Sequence, residues 1–484
     1  MWNEWSPRAF ARGEAERKPI LLSLVTAWSD ECVEMDRTTF TQPEVASLIE
    51  ARFVAVRVDA DRRPDINERY NLGGWPTTAC LTSGGHLLSG GTYFDPPQLI
   101  AVLHEAADAY RDRAQEISAR SARLQADRQR LRDRRAFQGG AQPEHDPQAS
   151  VDYFRWLLRE RFDEVHGGFG SAPKLPHPHA LLFALSLAEG DSELARMATI
   201  TLRRVSALRD PASGGFYRYA DGADWSRPGT GKTLDDNAAL LHVYVEAALR
   251  QHDVEWLEQA AALVRWIRRA MADEANGGFF NAESSRAADR TMYVDKNALM
   301  VGAFIRAAAL FDDIWLRDFA LKSLEAVIVP SYKPGDGVAH VTANDRAGVR
   351  GLLTDQIHVA SALIWAHAAT GQLPYSMLAV EVLQFAVRTM WDEAAGGFRD
   401  RIEGDDPVVP FELNCHAACV FDRLGVLTGD AAHQDRARTI LQSLAPDYRA
   451  HDLFGAPYAL AVREVFDRCP PAGLELGRVD WQLG

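Results

Sequence analysis

Three short runs of this chain, Leu234-Asp235-Asp236-Asn237-Ala238, Val294-Asp295-Lys296-Asn297-Ala298 and Leu353-Thr354-Asp355-Gln356-Ile357, are versions of one pattern. Each sets an acidic residue directly ahead of a long, almost wholly apolar helical stretch. Each follows a turn that also recurs, as Gly167-Gly168-Phe169, Gly214-Gly215-Phe216, Gly277-Gly278-Phe279, a degenerate Gly335-Asp336-Gly337 and Gly396-Gly397-Phe398. The separations, 63 residues from 214 to 277 and 119 from 277 to 396, are one and two periods of about 60, the mark of a repeated supersecondary unit.

The helices flanking each turn differ in a way that separates inside from outside. Before Gly277, the stretch Val254 to Arg269 carries an apolar stripe against a charged face and reads as an outer helix with one solvated side. After it, Ala298 to Leu310 is apolar almost all round, as suits an inner helix with neighbours on every side. Inner helices are expected to start near His177, Asp235, Asp295, Asp355, Glu412 and Tyr458. Six such hairpins close into an (α/α)6 barrel over residues 151–484.

The first 110 residues follow another rule. Pro19 to Val25 and Phe53 to Val58 are apolar, β-branched runs bounded by polar segments, Thr77 to Thr82 is a further strand, and a Ser83-Gly84-Gly85 turn makes a hairpin before the closing helix. The order βαβαββα is that of a thioredoxin fold. A highly charged, Arg-containing helical linker and a Pro-containing polar segment are expected across 111–150. The fold class is therefore multidomain, α/β followed by all-α.

A chain of 484 residues with 47% hydrophobic content has ample material for two cores. Its net charge of -14 argues against nucleic acid, whose phosphates need a basic surface. No apolar run is long enough to span a bilayer, and the start lacks the pattern of a signal peptide, so a cytoplasmic location is expected. Five scattered cysteines fit a reducing compartment better than a disulfide framework.

Lys18-Pro19-Ile20-Leu21-Leu22-Ser23, Met35-Asp36-Arg37, Val58-Asp59, Arg63-Pro64-Asp65-Ile66, Gly73-Gly74-Trp75-Pro76, Gly90-Gly91-Thr92-Tyr93-Phe94 and Gly167-Gly168-Phe169-Gly170 with Ala172-Pro173-Lys174 resemble the spermatogenesis-associated thioredoxin-like proteins and their bacterial relatives. The resemblance implies a thioredoxin-like domain joined to a barrel similar to sugar epimerase and glycosidase barrels. It also implies a cis-proline at Pro76, after Trp75, facing the start of the helix that carries the redox motif.

This chain departs from that family at both of its sites. Where relatives carry Cys-His-Trp-Cys-His, it reads Ser29-Asp30-Glu31-Cys32-Val33. A dithiol cycle needs an attacking thiolate and a resolving thiol, so the Ser29/Cys32 site is expected to be redox-incompetent, with Ser29 an N-cap and Cys32 a buried apolar residue. The groove beside Pro76 can still take a peptide or protein. Where relatives carry His-Phe-Glu-Lys before the second inner helix, it reads Gly229-Thr230-Gly231-Lys232.

Inner-helix starts converge on one mouth, which makes Asp236, Asp295 and Asp355 the candidate catalytic acids. His177, Lys232, Asn237, Trp225 and Glu412 are candidate substrate contacts, with Tyr217, Tyr219 and Tyr293 as further stacking surfaces. The competing reading makes each acid a helix N-cap. Epimerisation is not expected, because His177 and His179 share one hairpin and no partner histidine is evident at a late mouth position. Cys415, His416 and Cys419 read as core, and His340, His358 and His367 as core or surface. No metal and no cofactor are expected. Three functions fit: a carbohydrate or small-molecule site in the barrel mouth, a monothiol or peptide-binding thioredoxin-like module, and a non-catalytic scaffold.

Overall fold

The computed structural model describes residues 2–112, 116, 146–284, 288–343, 346–402, 408–472 and 474. Most of the expected linker 111–150 lies outside them. The chain divides into two compact units, residues 1–137 with 284–289 and residues 138–283 with 290–484.

In the first unit, β1 (Ile20–Val25) lies between β2 (Val54–Asp59), to which it is parallel, and β3 (Thr77–Leu81), to which it is antiparallel; β4 (Leu87–Gly91) completes the sheet beyond β3. The apolar runs that mark β1 to β3 are buried on both faces. Leu21, Ala55 and Cys80 pack on one side with Met35, Val45 and Leu103, and Ile20, Leu22, Leu24 and Val56 on the other with Ile66 and Ala79. The thioredoxin-like order is present, with an additional helix, Pro7–Glu16, ahead of β1 and two helices, Asp30–Thr38 and Pro43–Arg52, between β1 and β2.

The second unit is the six-hairpin barrel. Its inner helices are Pro178–Leu187, Leu234–Gln251, Val294–Phe311, Leu353–Thr370, Phe411–Thr428 and Ala456–Val465, each beginning within two residues of the position expected from the sequence. Each packs on the next, and the last packs on the first, so the ring is closed. The outer helices are Pro147–Arg161, Ser192–Val205, Val254–Ala270, Ile314–Ser331, Leu373–Met390 and Ala431–Leu444.

Aspartate caps belong to the outer helices. Asp146, Asp191, Asp253, Asp313 and Asp430 each accept a backbone N–H in the first turn of an outer helix. The inner helices open on His177, Thr233, Tyr293, Leu352 and Pro410, and of these only Thr233 caps with its side chain. The acids at the inner-helix starts sit inside the first turn and are not N-caps.

The repeated turn is held by parts that recur around the ring. Asp163, Asp210, Asp273 and Asp392, each four residues before a turn glycine, accept backbone N–H groups of their own turn. From the inner helix an amide side chain then clamps the residue that follows the glycines. Asn237 accepts from Phe216 N and donates to Phe216 O and Thr233 O; Asn297 does the same with Phe279 and Tyr293, Gln356 with Val338 and Leu352, and Asn414 with Phe398 and Pro410. Gly215 has φ +73, and a Cβ there would stand 2.4 Å from the Trp266 ring, so the turn admits only glycine.

Candidate functional site

Several expected ligand contacts turn out to belong to this framework. Asn237 has its hydrogen-bonding capacity taken up by the turn clamp. Lys232 is buried, with Nζ 2.8 Å from Asp210, 3.1 Å from Glu283 and 3.3 Å from Gly214 O; Lys174 occupies the same role one hairpin earlier, 2.8 Å from Asp163. Trp225 is 2% exposed, donates from Nε1 to Gly167 O at 3.2 Å, and leaves no ring face for a sugar. Tyr293 is likewise buried. His177 packs edge-on against Phe454 at 5.2 Å, and burial lowers its pKa to about 4.

The three expected catalytic acids do not form one group. Asp236 accepts from the Thr233 hydroxyl at 2.6 Å and lies 3.8 Å from Arg218. Its neighbour Asp235 lies 3.6 Å from Lys296. Burial opposes ionisation of Asp235, but Lys296 and Arg218 outweigh it and hold the carboxyl below its ordinary value. Asp236 is raised by burial and by Asp235, against the pull of Arg218. Two adjacent carboxyls pushed apart in this way can divide donor and acceptor roles.

Asp295 and Asp355 do meet, through a residue the sequence reading left in the core or surface. His340, on the strand Gly337–Ala343, has Nδ1 2.9 Å from Asp355 Oδ1 and 3.7 Å from Asp295 Oδ1. Asp295 also accepts from the Thr354 hydroxyl at 3.0 Å. Burial pushes Asp355 up to about 6, with His340 opposing. Asp355 is sealed from solvent, so it cannot touch a substrate directly.

Further along the same helices, histidines face one another. His358 and His416, on the fourth and fifth inner helices, have ring centroids 4.8 Å apart, and His416 Nε2 is 3.3 Å from the Ser361 hydroxyl. His179, on the first, lies 3.6 Å from Glu412 on the fifth, and both are substantially exposed. His242, on the second, contacts Arg306 on the third at 3.2 Å. Burial lowers the pKa of His358; His416 is lowered further, by burial and then by His358. Burial thus disfavours the charged form of both rings. His416, read from the sequence as core, is largely buried and meets His358, a contact that spacing on one helix does not reveal. Cys415 and Cys419 are buried, as expected. At the far end of the helices, Arg306 pairs with Glu246, and Arg423 binds Glu464 through two bonds of 2.6 and 2.9 Å.

In the first unit, Ser29 caps the helix Asp30–Thr38, accepting from Cys32 N at 3.2 Å and turning its one hydroxyl proton towards Glu31 at 3.0 Å, with Trp75 O at 3.4 Å as the other acceptor in reach. Trp75–Pro76 is cis, and Trp28 lies edge-on to Trp75 at 5.5 Å. Cys32 is 3% exposed, and burial raises its thiol above the ordinary value.

A thioredoxin-like domain and a six-hairpin barrel whose inner helices carry acids and histidines together define the class. Residues 1–128 match the family described as a protein of unknown function, DUF255 (Thioredox_DsbH). The chain is 30% identical over 59% of its length to spermatogenesis-associated protein 20 of Rattus norvegicus, of which it covers 38%. It thus spans well under half the length of the curated relatives it matches. Among solved structures, D-mannose isomerase is similar with a TM-score of 0.58 at 14% identity, over 68% of this chain and 100% of that one. Cellobiose 2-epimerase from Spirochaeta thermophila is similar with a TM-score of 0.57 at 15% identity, over 67% and 97%. These likenesses establish the barrel fold. Among the described residues, no helix is long and apolar enough to cross a membrane.

Proposed function

We propose that the barrel lumen binds a small polyhydroxylated ligand, a mono- or disaccharide, and moves protons on it through His358 and His416. The carrying observation is the contact of two imidazoles, 4.8 Å apart on neighbouring inner helices, whose burial disfavours the charged form. A neutral imidazole can take the proton from a carbon next to a carbonyl and become imidazolium, and that imidazolium can return the proton to the sugar, so that one ring serves as base and then as acid while the other bonds a hydroxyl. His179 and Glu412, both open to solvent, and the half-buried Asp235 supply hydroxyl-binding groups nearer the helix starts. Two proteins with this barrel are named as a D-mannose isomerase and a cellobiose 2-epimerase, which fits proton transfer on a sugar. Hydrolysis by Asp295 and Asp355 is disfavoured, because the latter is sealed and both are joined to His340.

The test is incubation with mannose, glucose, fructose and cellobiose in D2O, followed by NMR of deuterium entering at C2. Exchange that disappears in His358→Gln and in His416→Gln is expected. No exchange from the wild-type protein, with no thermal shift on addition of any of these sugars, would leave the scaffold reading in its place. In the first unit, the proposal is a redox-silent peptide groove beside Ser29 and Pro76.

A further inference from the structure

The Asp295, His340 and Asp355 side chains come from three elements: the first turns of two inner helices, and a strand of the one hairpin in which the Gly-Gly-Phe turn has degenerated. Their nearest donor atoms all lie within 4.8 Å of one another. Two donors held at about 2.1 Å from one ion at tetrahedral or octahedral angles stand about 3.0 to 3.4 Å apart. The separations of 2.9 and 3.7 Å from His340 Nδ1 bracket that value.

Charge and hydrogen bonding point the same way. Two carboxylates are buried here, and among the described residues neither is paired with a lysine or arginine. The second oxygen of Asp355 is buried and accepts no hydrogen bond among the described residues. A fully buried carboxylate oxygen with no donor is an uncommon state, and a cation is one of the few partners that resolves it. The Thr354 hydroxyl bonds to Asp295 Oδ2 and fixes that carboxylate, as outer partners of metal ligands do.

We propose that Asp295, His340 and Asp355 form a binding site for a first-row divalent transition-metal ion, Zn2+ or Mn2+. One imidazole and two carboxylates make a mixed donor set that suits these ions better than Ca2+, which takes oxygen ligands alone. The ion ties the 337–343 strand to the starts of the third and fourth inner helices. This site does not depend on the sugar reading, since none of its three residues belongs to the His358/His416 pair.

The experiment uses the full chain stripped with EDTA and dialysed, titrated calorimetrically with ZnCl2, MnCl2 and, for comparison, CaCl2. One equivalent of Zn2+ or Mn2+ is expected to bind, with affinity at least 10-fold above that for Ca2+ and lost at least 100-fold in His340→Gln and in Asp355→Asn. Co2+ added to the wild-type protein is expected to give visible d–d absorption, which Zn2+ displaces. Binding that survives in both variants would put the ion elsewhere and overturn the proposal. Should those variants fail to fold, the wild-type Co2+ spectrum and Asp295→Asn decide it. Absence of the absorption, or unchanged affinity in Asp295→Asn, would mean that a hydrogen-bonded histidine alone joins the two acids.

Discussion

Single residues here carry opposite electrostatic burdens. Lys232 is a buried cation whose fit depends on Asp210 and Glu283, and Asp210 is held well below the ordinary carboxylate range by burial-resisting contacts with Lys232 and Ser213. Lys232→Met should therefore lower stability by about 3 to 5 kcal/mol, because it strands a partly buried carboxylate, and denaturant unfolding measures that loss. Asp59 bears the reverse strain. Burial, with Asp61 adding to it, pushes its carboxyl up to about 6, above its value of about 3.9 in an unfolded chain. The folded state thus prefers the protonated form, so this residue's contribution is most favourable below pH 4 and falls as pH rises from 4 to 6. Asp59→Asn, which can still accept from the Asp61 and Arg62 N–H groups, should leave the melting temperature unchanged at pH 4 and raise it at pH 7. Equal shifts at the two pH values would show that Asp59 does not titrate differently on folding.

Among elements, the turn clamp is the part most open to test. Asn414 is fully buried and makes three backbone hydrogen bonds, two to Phe398 and one to Pro410. Asn414→Ala removes the amide, leaves those backbone groups unpaired, and should cost about 2 to 4 kcal/mol in equilibrium unfolding. The same substitution at the exposed Gln372 should cost under about 0.5 kcal/mol. Much at this scale was legible in the sequence: the period near 60, the apolar inner stretches and the amphipathic outer ones each follow from burial acting on a helix. What was not legible is which acid caps a helix and which meets side chains from other elements. Asp253 and Asp295 look alike in sequence, each one residue from an apolar helical run, and only packing puts one on the outer ring and the other beside His340. His340 itself sits where the repeat breaks down, so periodicity carried no signal for it. His358 and His416 were hidden for a different reason: their meeting requires the fourth and fifth inner helices to be neighbours in the ring.

Considered whole, the protein joins a thioredoxin-like domain without its first cysteine to a barrel rich in titratable groups. In the former, the serine hydroxyl at the place of an attacking thiol is engaged as a helix cap, and Cys32 is buried with its thiolate disfavoured. Reduction of insulin disulfides by dithiothreitol should accordingly run no faster with the protein than without it. Multiple turnovers that vanish in Cys32→Ser would refute this.

The closed ring also bears on how the chain reaches its fold. Arg463 on the last inner helix donates to Ser186 on the first, two residues 277 positions apart. An open solenoid can grow unit by unit from one end and fray from the other. A ring has no end to fray from, and its final contact must wait until both terminal hairpins have been made. Long-range closure of this kind slows folding and leaves a seam of apolar surface uncovered in the meantime, on the first inner helix until the last one arrives. Once shut, the same contact couples all six hairpins, so that damage at one turn is shared round the circle.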